Sequence, residues 1–312
     1  MFPLASIDIG SNTIRLLIGR IQDKTIVRLV TEMFITRLAA GIAETGKLRA
    51  ESMEKSVSVL KRFSQIISEY NVSGVKAIGT SALRDAKNSD EFIQRVWRET
   101  GIKIDVVSGK KEAELTAKGV LWGIEKSGTF LIVDIGGGST EWILCKDSAM
   151  TGMGTMPIGV VRLYEKHIKQ DLPSKEDLVS LGREIEVVLN KLKAEIGRQM
   201  TNDTVFIGTA GTITTLATID LGLDVYSHEK INMHSMLLQR LYKIYYRLTS
   251  ISLRERKNLK GLEPERADLI IPGILFTIKI MEIFGFKNLI VSDNGLLEGA
   301  FIKLSEEALK LT

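Results

Sequence analysis

Apolar and polar positions follow two periods along the chain. Leu4–Ile9 is an apolar run broken only by Ser6 and Asp8, the signature of a buried strand. A small-residue turn, Gly10–Asn12, follows, then strands over Ile14–Ile21 and Thr25–Thr31. The period then changes. Ser52–Tyr70 carries Val57, Leu60, Phe63, Ile66 and Ile67 on one helical face. Val75–Gly79 and Ile104–Val107 read as short strands and Asp90–Thr100 as a helix. "SGKKEAELTAKGVLWGI" reads as a further helix with Ser108 as its N-cap.

The pattern restarts at Phe130–Val133: strand, acid, glycine turn, strand. A long helix is expected over Pro173–Met200, entered at Ser174, and a strand over Val205–Ile207 running into "GTAGTITTLATI". Helices over Met233–Leu248 and Glu265–Phe284, a strand over Leu289–Val291 and a closing helix over Gly295–Leu311 complete the reading. The repeat is a duplication at the scale of whole domains. It predicts domains over 1–120 and 121–295, with the boundary near Lys118–Ser127. The helix within 296–312 is a candidate to cross back onto the first domain.

Composition narrows the classes. The 312 residues are 44% hydrophobic and 26% charged, enough apolar material for two cores. A net charge of +4 is too weak to argue for nucleic acid and suits an anionic substrate. A lone cysteine, Cys145, excludes an intrachain disulfide and a multi-cysteine metal site, which fits a reducing cytoplasm. The first residues lack the pattern of a signal peptide. The most apolar window, "LIIPGILFTIKIMEIFGF", contains Pro272, Lys279 and Glu282 and reads as a buried helix, not a membrane span.

The chemistry gathers at four places. "DIGSNTIRL" and "DIGGGSTEW" put Asp8 and Asp134, 126 residues apart, at strand ends before small turns. Gly136, Gly137 and Gly138 let backbone N–H groups approach an anion, and Ser139 and Thr140 add hydroxyls. Ser11, Asn12 and Thr13 hold the matching positions in the first copy. An acid beside bound phosphate is a natural Mg2+ ligand. Arg15 and Glu141 occupy the same slot, seven residues after each aspartate. Strand alternation puts them on the face shared with Thr13 and Ser139. There the arginine suits phosphate oxygens, and the glutamate a metal or its water. The bland alternative is two strand-surface charges. In "FIGTAGTITTLATI", Gly208, Gly211 and Thr212 bracket a helix start with free N–H groups. Glu112 and Glu114 lie in the first turn of a helix, where acids also serve simply to oppose the dipole. Physics alone does not choose between them as a general base.

The paired DIG turns and "GTAGT" resemble the actin, hexokinase and heat-shock ATPase superfamily. With "GTSALRDAKN", "VVSGKKEAEL" and "PERADLIIPG" the whole chain resembles the exopolyphosphatase and guanosine pentaphosphate phosphohydrolase (Ppx/GppA) family, in its short two-domain form. The resemblance implies an α/β fold of two duplicated ribonuclease H-like (actin-like ATPase) domains with an interdomain cleft. It implies hydrolysis of a terminal phosphoanhydride, releasing orthophosphate from inorganic polyphosphate or guanosine pentaphosphate. By the family motif, Glu112 and not Glu114 is the base. Asp134 and Glu141, with Asp8 by the repeat, are the acids associated with Mg2+. Arg15 faces phosphate, and Arg84 and Arg266 match motif arginines assigned to substrate. Lys110 and Lys111 depart from the acidic residue common before that glutamate. Expected partners are inorganic polyphosphate and guanosine penta- or tetraphosphate, without nucleic acid or membrane; a homodimer is left open. The rival readings are a sugar or acid kinase, an actin-like assembly ATPase, and a non-catalytic sensor of guanosine tetra- or pentaphosphate.

Overall fold

A computed structural model describes residues 3–122, 124, 127–147 and 149–309. It is α/β throughout and divides into two compact units. One comprises Met1–Glu125 with Asn294–Thr312, the other Lys126–Asp293. The expected boundary at 118–127, and the last two residues of the helix expected to end at Leu311, fall partly outside the described residues.

The first unit is built on strands β1 (Leu4–Ile9), β2 (Thr13–Gln22), β3 (Thr25–Ile35), β4 (Gly74–Gly79) and β5 (Ile104–Val106), in the order β3-β2-β1-β4-β5. β1, β2 and β3 form an antiparallel meander, and β4 and β5 add in parallel to β1. The second unit uses β6 (Thr129–Ile135), β7 (Thr140–Lys146), β8 (Ala149–Met156), β9 (Val205–Thr209), β10 (Ser235–Leu237) and β11 (Asn288–Val291). Its order, β8-β7-β6-β9-β11, repeats the first sheet, with β10 added antiparallel at the edge. β1 and β6 are buried along their whole length, as central strands covered on both faces must be. The same order in both sheets establishes the duplicated ribonuclease H-like, actin-like topology.

Two helices cover one face of the first sheet. The helix Leu296–Leu309 lays Leu297 and Phe301 against Leu4 and Leu17. It crosses the helix Gly109–Val120 at a contact only glycine permits. A Cβ on Gly299 would stand 1.8 Å from the Leu115 carbonyl oxygen, and one on Gly119 2.0 Å from that of Gly295. The other face packs on Ala50–Glu69 and Ser89–Thr100 through Val57, Leu60, Phe63, Phe92 and Val96. In the second unit, Lys175–Ile196 and Ile270–Phe284 bring Leu181, Ile185, Ile274 and Met281 into one core.

Three expected elements differ. The helix expected over Met233–Leu248 is instead strand β10 followed by the helix Leu238–Thr249. Around this junction Met233 N–H donates to the Val291 carbonyl and Val291 N–H donates to the His234 carbonyl, and the strand pairing overrides local helical spacing. The helix expected from Glu265 begins at Ile270, after a 3-10 turn over Pro264–Arg266. Pro272 lies in its first turn, where the missing N–H costs nothing. The long helix is Lys175–Ile196, with a capping box between Ser174 and Asp177, and ends before a 3-10 turn. Among the described residues no helix is long and apolar enough to cross a membrane.

Candidate functional site

In the first unit the turn after β1 is closed by Gly10 N–H donating to the Thr13 carbonyl at 2.9 Å. The segment after β3 clamps it from outside. Thr36 and Arg37 N–H both donate to the Asn12 carbonyl, and Ala39 N–H to that of Ser11. The Ser11 hydroxyl lies 2.8 Å from that of Ser81, at the start of the helix Ser81–Asp85. Asp8 and Arg15 are cross-strand partners. The guanidinium donates through Nη2 and Nε to Asp8 Oδ2, at 2.7 and 3.1 Å. The slot read as phosphate-facing thus holds an arginine already oriented by the acid of its own turn. The same pair gives Asp8, read as a metal-associated acid, an arginine as its partner.

A second ion pair forms where β4 ends. Arg84 donates through Nη1 to the Val107 carbonyl at 2.9 Å and to Glu112 Oε2 at 3.0 Å. Ser108 caps the helix bearing Glu112, its hydroxyl accepting from Lys111 N–H. Glu112 is only 7% exposed. Glu114 is half-buried at the surface, with Lys111 Nζ 2.8 Å away. Burial therefore separates the two glutamates that spacing left level. Lys111, one of the lysines that departs from the family pattern, is engaged by Glu114.

The second unit repeats the turn. Gly136 N–H donates to the Ser139 carbonyl at 3.1 Å, the counterpart of Gly10 and Thr13. The carbonyls of Gly136 and Gly137 accept from Val160 and Val161 N–H, at the start of the helix Val160–His167. With those carbonyls held, the turn is rigid and its open side is the side of its N–H groups. Asp134 and Glu141 are cross-strand partners, as Asp8 and Arg15 are in the first unit, and both are buried. Thr155, across β8, donates from its hydroxyl to Glu141 Oε1 at 2.7 Å. Thr140 points elsewhere, donating to the Ile158 carbonyl.

β9 then delivers the third turn. Gly208 accepts from Ser292 N–H, and Thr212 donates to the Ile135 carbonyl at the end of β6. Ala210 sits at φ 71°, a left-handed conformation that costs a residue with a Cβ on the order of 1–3 kcal/mol. Thr209 gives no side-chain cap to the helix Ala210–Leu221. Arg266 packs onto the bare Cα of Gly211, where a Cβ would stand 2.2 Å from its Nη1. Arg266 is also paired with Glu263.

Among the described residues no group of three or more His, Cys, Asp or Glu is placed to hold a metal. The Asp134 and Glu141 pair offers two hard oxygen ligands, a set that suits Mg2+ completed by phosphate oxygens and water. The three histidines are engaged elsewhere in the second unit: His167 with Ser180 and Glu184, His228 with Asp293, His234 with Asp220. Cys145 is fully buried in β7, where burial pushes its thiol up to about 11.

The Ppx/GppA phosphatase family matches residues 17–308. The chain belongs to this family. Among curated family relatives it is 28% identical to exopolyphosphatase 2 of Mycobacterium tuberculosis, over 97% of the chain and 98% of the relative. It is 30% identical to the guanosine-5'-triphosphate,3'-diphosphate pyrophosphatase of Vibrio atlanticus, over 97% of the chain but 59% of that longer protein. The bifunctional 3-dehydroquinate synthase/phosphatase of Fusobacterium nucleatum is 32% identical, with 46% of it covered. Among solved structures, the Aquifex aeolicus PPX-GPPA enzyme aligns with a TM-score of 0.81 at 34% identity, covering 97% of this chain and 99% of that one. An exopolyphosphatase from Cytophaga hutchinsonii aligns with a TM-score of 0.90 at 29% identity, covering 98% of each.

Two parts of the site escaped the sequence. Thr155 sits on β8, a strand the reading left out, and Ser81 on a helix of five residues. The repeat carried the signal for the first. Moving Thr25–Thr31 on by 126 residues lands on 151–157, all but the last residue of which lies in β8.

Proposed function

We propose that the protein hydrolyses the terminal phosphoanhydride of inorganic polyphosphate or guanosine pentaphosphate, releasing orthophosphate. The observation that carries the reading is Glu112, a buried carboxylate at a helix start with its orientation fixed by Arg84. A module that only bound phosphate would have no use for a positioned base in the same unit as its phosphate turn. Family membership and the two exopolyphosphatase relatives support the same chemistry.

The roles divide as follows. Backbone N–H groups of Ser11–Thr13 and of Gly136–Thr140 hold phosphate oxygens, as does the turn Gly208–Thr212. Arg15, Arg84 and Arg266 supply guanidinium charge to them. Asp134 and Glu141 would hold Mg2+, which when bound neutralises charge on the phosphate oxygens. Glu112 accepts the proton of the attacking water. Arg84 orients Glu112 and is the group a bound phosphate would draw toward itself. Phosphoryl transfer needs little covalent help, so positioning and charge stabilisation carry most of the acceleration.

Phosphate release is to be measured with Mg2+ on long-chain polyphosphate, guanosine pentaphosphate and ATP. Release from either of the first two is expected. Release from neither would sink the reading.

A further inference from the structure

Between Leu238 and Lys260 seven cations face a single acid, Glu255, although the whole chain carries only +4. Arg240 is paired with Asp220, Arg256 with Asp171, and Lys260 with Asp224. The other four, Lys243, Arg247, Arg254 and Lys257, are exposed and have no acidic partner among the described residues.

Their placement is ordered. Arg240, Lys243 and Arg247 are spaced by three and four on the helix Leu238–Thr249 and share one face. Arg254 and Lys257, three apart, follow after the turn. Arg256 fixes that turn to its surroundings, donating to the Leu248 carbonyl and to Asp171. Beyond Lys260 the chain leads toward the phosphate turn. The Gly261 carbonyl accepts from Thr218 on the helix Ala210–Leu221, and Arg266 reaches Gly211 at the start of that helix. Thr218 lies eight residues along from Ala210, about 12 Å at 1.5 Å per residue.

We infer that this stripe binds the distal part of a polyphosphate chain and gives the enzyme a preference for long chains. The inference rests on the proposed polyphosphate reading. A surface of unpaired cations that leads to an anion-binding turn suits a polyanion whose charges repeat along its length. Single-stranded nucleic acid would also need free aromatic faces to stack its bases. The tyrosines here pack on one another, Tyr246 stacking on Tyr242 and meeting Tyr245 edge-on, so the exposed ring of Tyr246 is a single aromatic surface and not a row on which successive bases could stack.

The test uses two double variants, Lys243→Glu with Arg247→Glu and Arg254→Glu with Lys257→Glu. None of the four residues belongs to the catalytic machinery. In low salt the KM for long-chain polyphosphate should rise by about tenfold or more, and the gap should close in high salt as released counterions cease to favour binding. At about 0.15 M salt, where charges more than about 8 Å apart are largely screened, the KM for guanosine pentaphosphate should stay within about twofold, because that substrate carries no long run of distal phosphates. Milder Gln variants at the same positions should show the same trend and cover a failure of the Glu variants to fold. An unchanged KM for the long chain, or equal losses on both substrates, overturns the inference. Anisotropy of end-labelled long-chain polyphosphate reads binding without turnover. If the wild-type chain hydrolyses nothing, the proposed function fails, while this arm still decides the stripe. Weaker polyphosphate binding by the variants supports it, and unchanged binding overturns it. Wild-type binding of DNA as tight as that of polyphosphate, lost in the same variants, would assign the stripe to nucleic acid instead and overturn it.

Discussion

Gly299→Ala isolates the helix crossing behind Glu112. By intrinsic preference, alanine inside a helix is worth about 1 kcal/mol over glycine. The crossing opposes this. The new Cβ would stand 1.8 Å from the Leu115 carbonyl oxygen, 2.6 Å from its carbon and 3.2 Å from Gly119 N. All three are backbone atoms, so no side chain can swing away. An ordinary contact near ~3.5 Å requires the helices to part by well over an ångström, and a gap of about 1 Å forfeits up to half the attraction between facing atoms. Ile78, Val107, Leu115, Leu296 and Ala300 pack around this crossing and would share that loss. Overpacking costs about 1–3 kcal/mol or more, so the net expectation is destabilisation by roughly 2 kcal/mol. In a unit of this size that lowers the Tm by roughly 5–10 °C. Gly182→Ala is the matched control. Its Cβ would meet only Leu275 and Lys279 side-chain atoms, at 3.9 Å, so the propensity gain should survive and the Tm should rise slightly. Thermal unfolding followed by circular dichroism reads both. A Gly299→Ala protein at least as stable as wild type would refute the claim that backbone contact limits this crossing.

The remaining predictions concern the site and the second core. Glu112→Gln should retain substrate binding but lose about 10²–10⁴ in kcat, with Glu114→Gln near wild type; the reverse pattern in a phosphate-release assay would move the base to Glu114. Thr155→Val should lower activity about 10–100-fold through a misoriented Glu141, and Thr155→Ser should restore most of it; equal activity of the two would leave the hydroxyl without a role. Burial pushes the Glu184 carboxyl up, but hydrogen bonds from Lys166 and His167 outweigh it and hold it below its ordinary value. A lowered folded pKa stabilises above the unfolded value and stops doing so as pH falls through the folded one. The Tm deficit of Glu184→Gln should therefore shrink between about pH 7 and about pH 3, and a deficit that held constant would assign the effect to packing. Cys145 should resist a thiol reagent near pH 8 in the native protein and react at once in denaturant; rapid native labelling would contradict its burial.

The duplication was legible because its marks are local. An apolar run, an acid and small residues at fixed spacing reveal each turn, and both turns close through the same hydrogen bond. Partnership was not legible, because it depends on which strands become neighbours. Nothing in the spacing of Arg15 says that it meets Asp8, or that Arg84 meets Glu112, 28 positions away. β8 was missed for a related reason. Its sequence, AMTGMGTM, is rich in small residues and lacks the alternation of a half-buried strand; it forms because β7 offers it a paired edge. In the same way β10 won its three residues from a helix-like stretch by pairing with β11.

The first unit is made from two stretches of chain with the whole second unit between them. The Ser6 hydroxyl donates to the Leu297 carbonyl, 291 positions on, and Leu4 and Leu17 find Leu297 and Phe301 at the same seam. During synthesis that apolar face of the first sheet is complete long before its cover exists. At 5–20 residues per second the intervening unit takes about 10–30 s to translate, a long time for a half-covered sheet face to wait beside other nascent chains. The helix over Leu296–Leu309 is therefore also a clock. A chain interrupted just before Leu296 carries a finished second unit and a first unit with Leu4 and Leu17 uncovered, so the quality of this unit's biogenesis is decided when that helix is made.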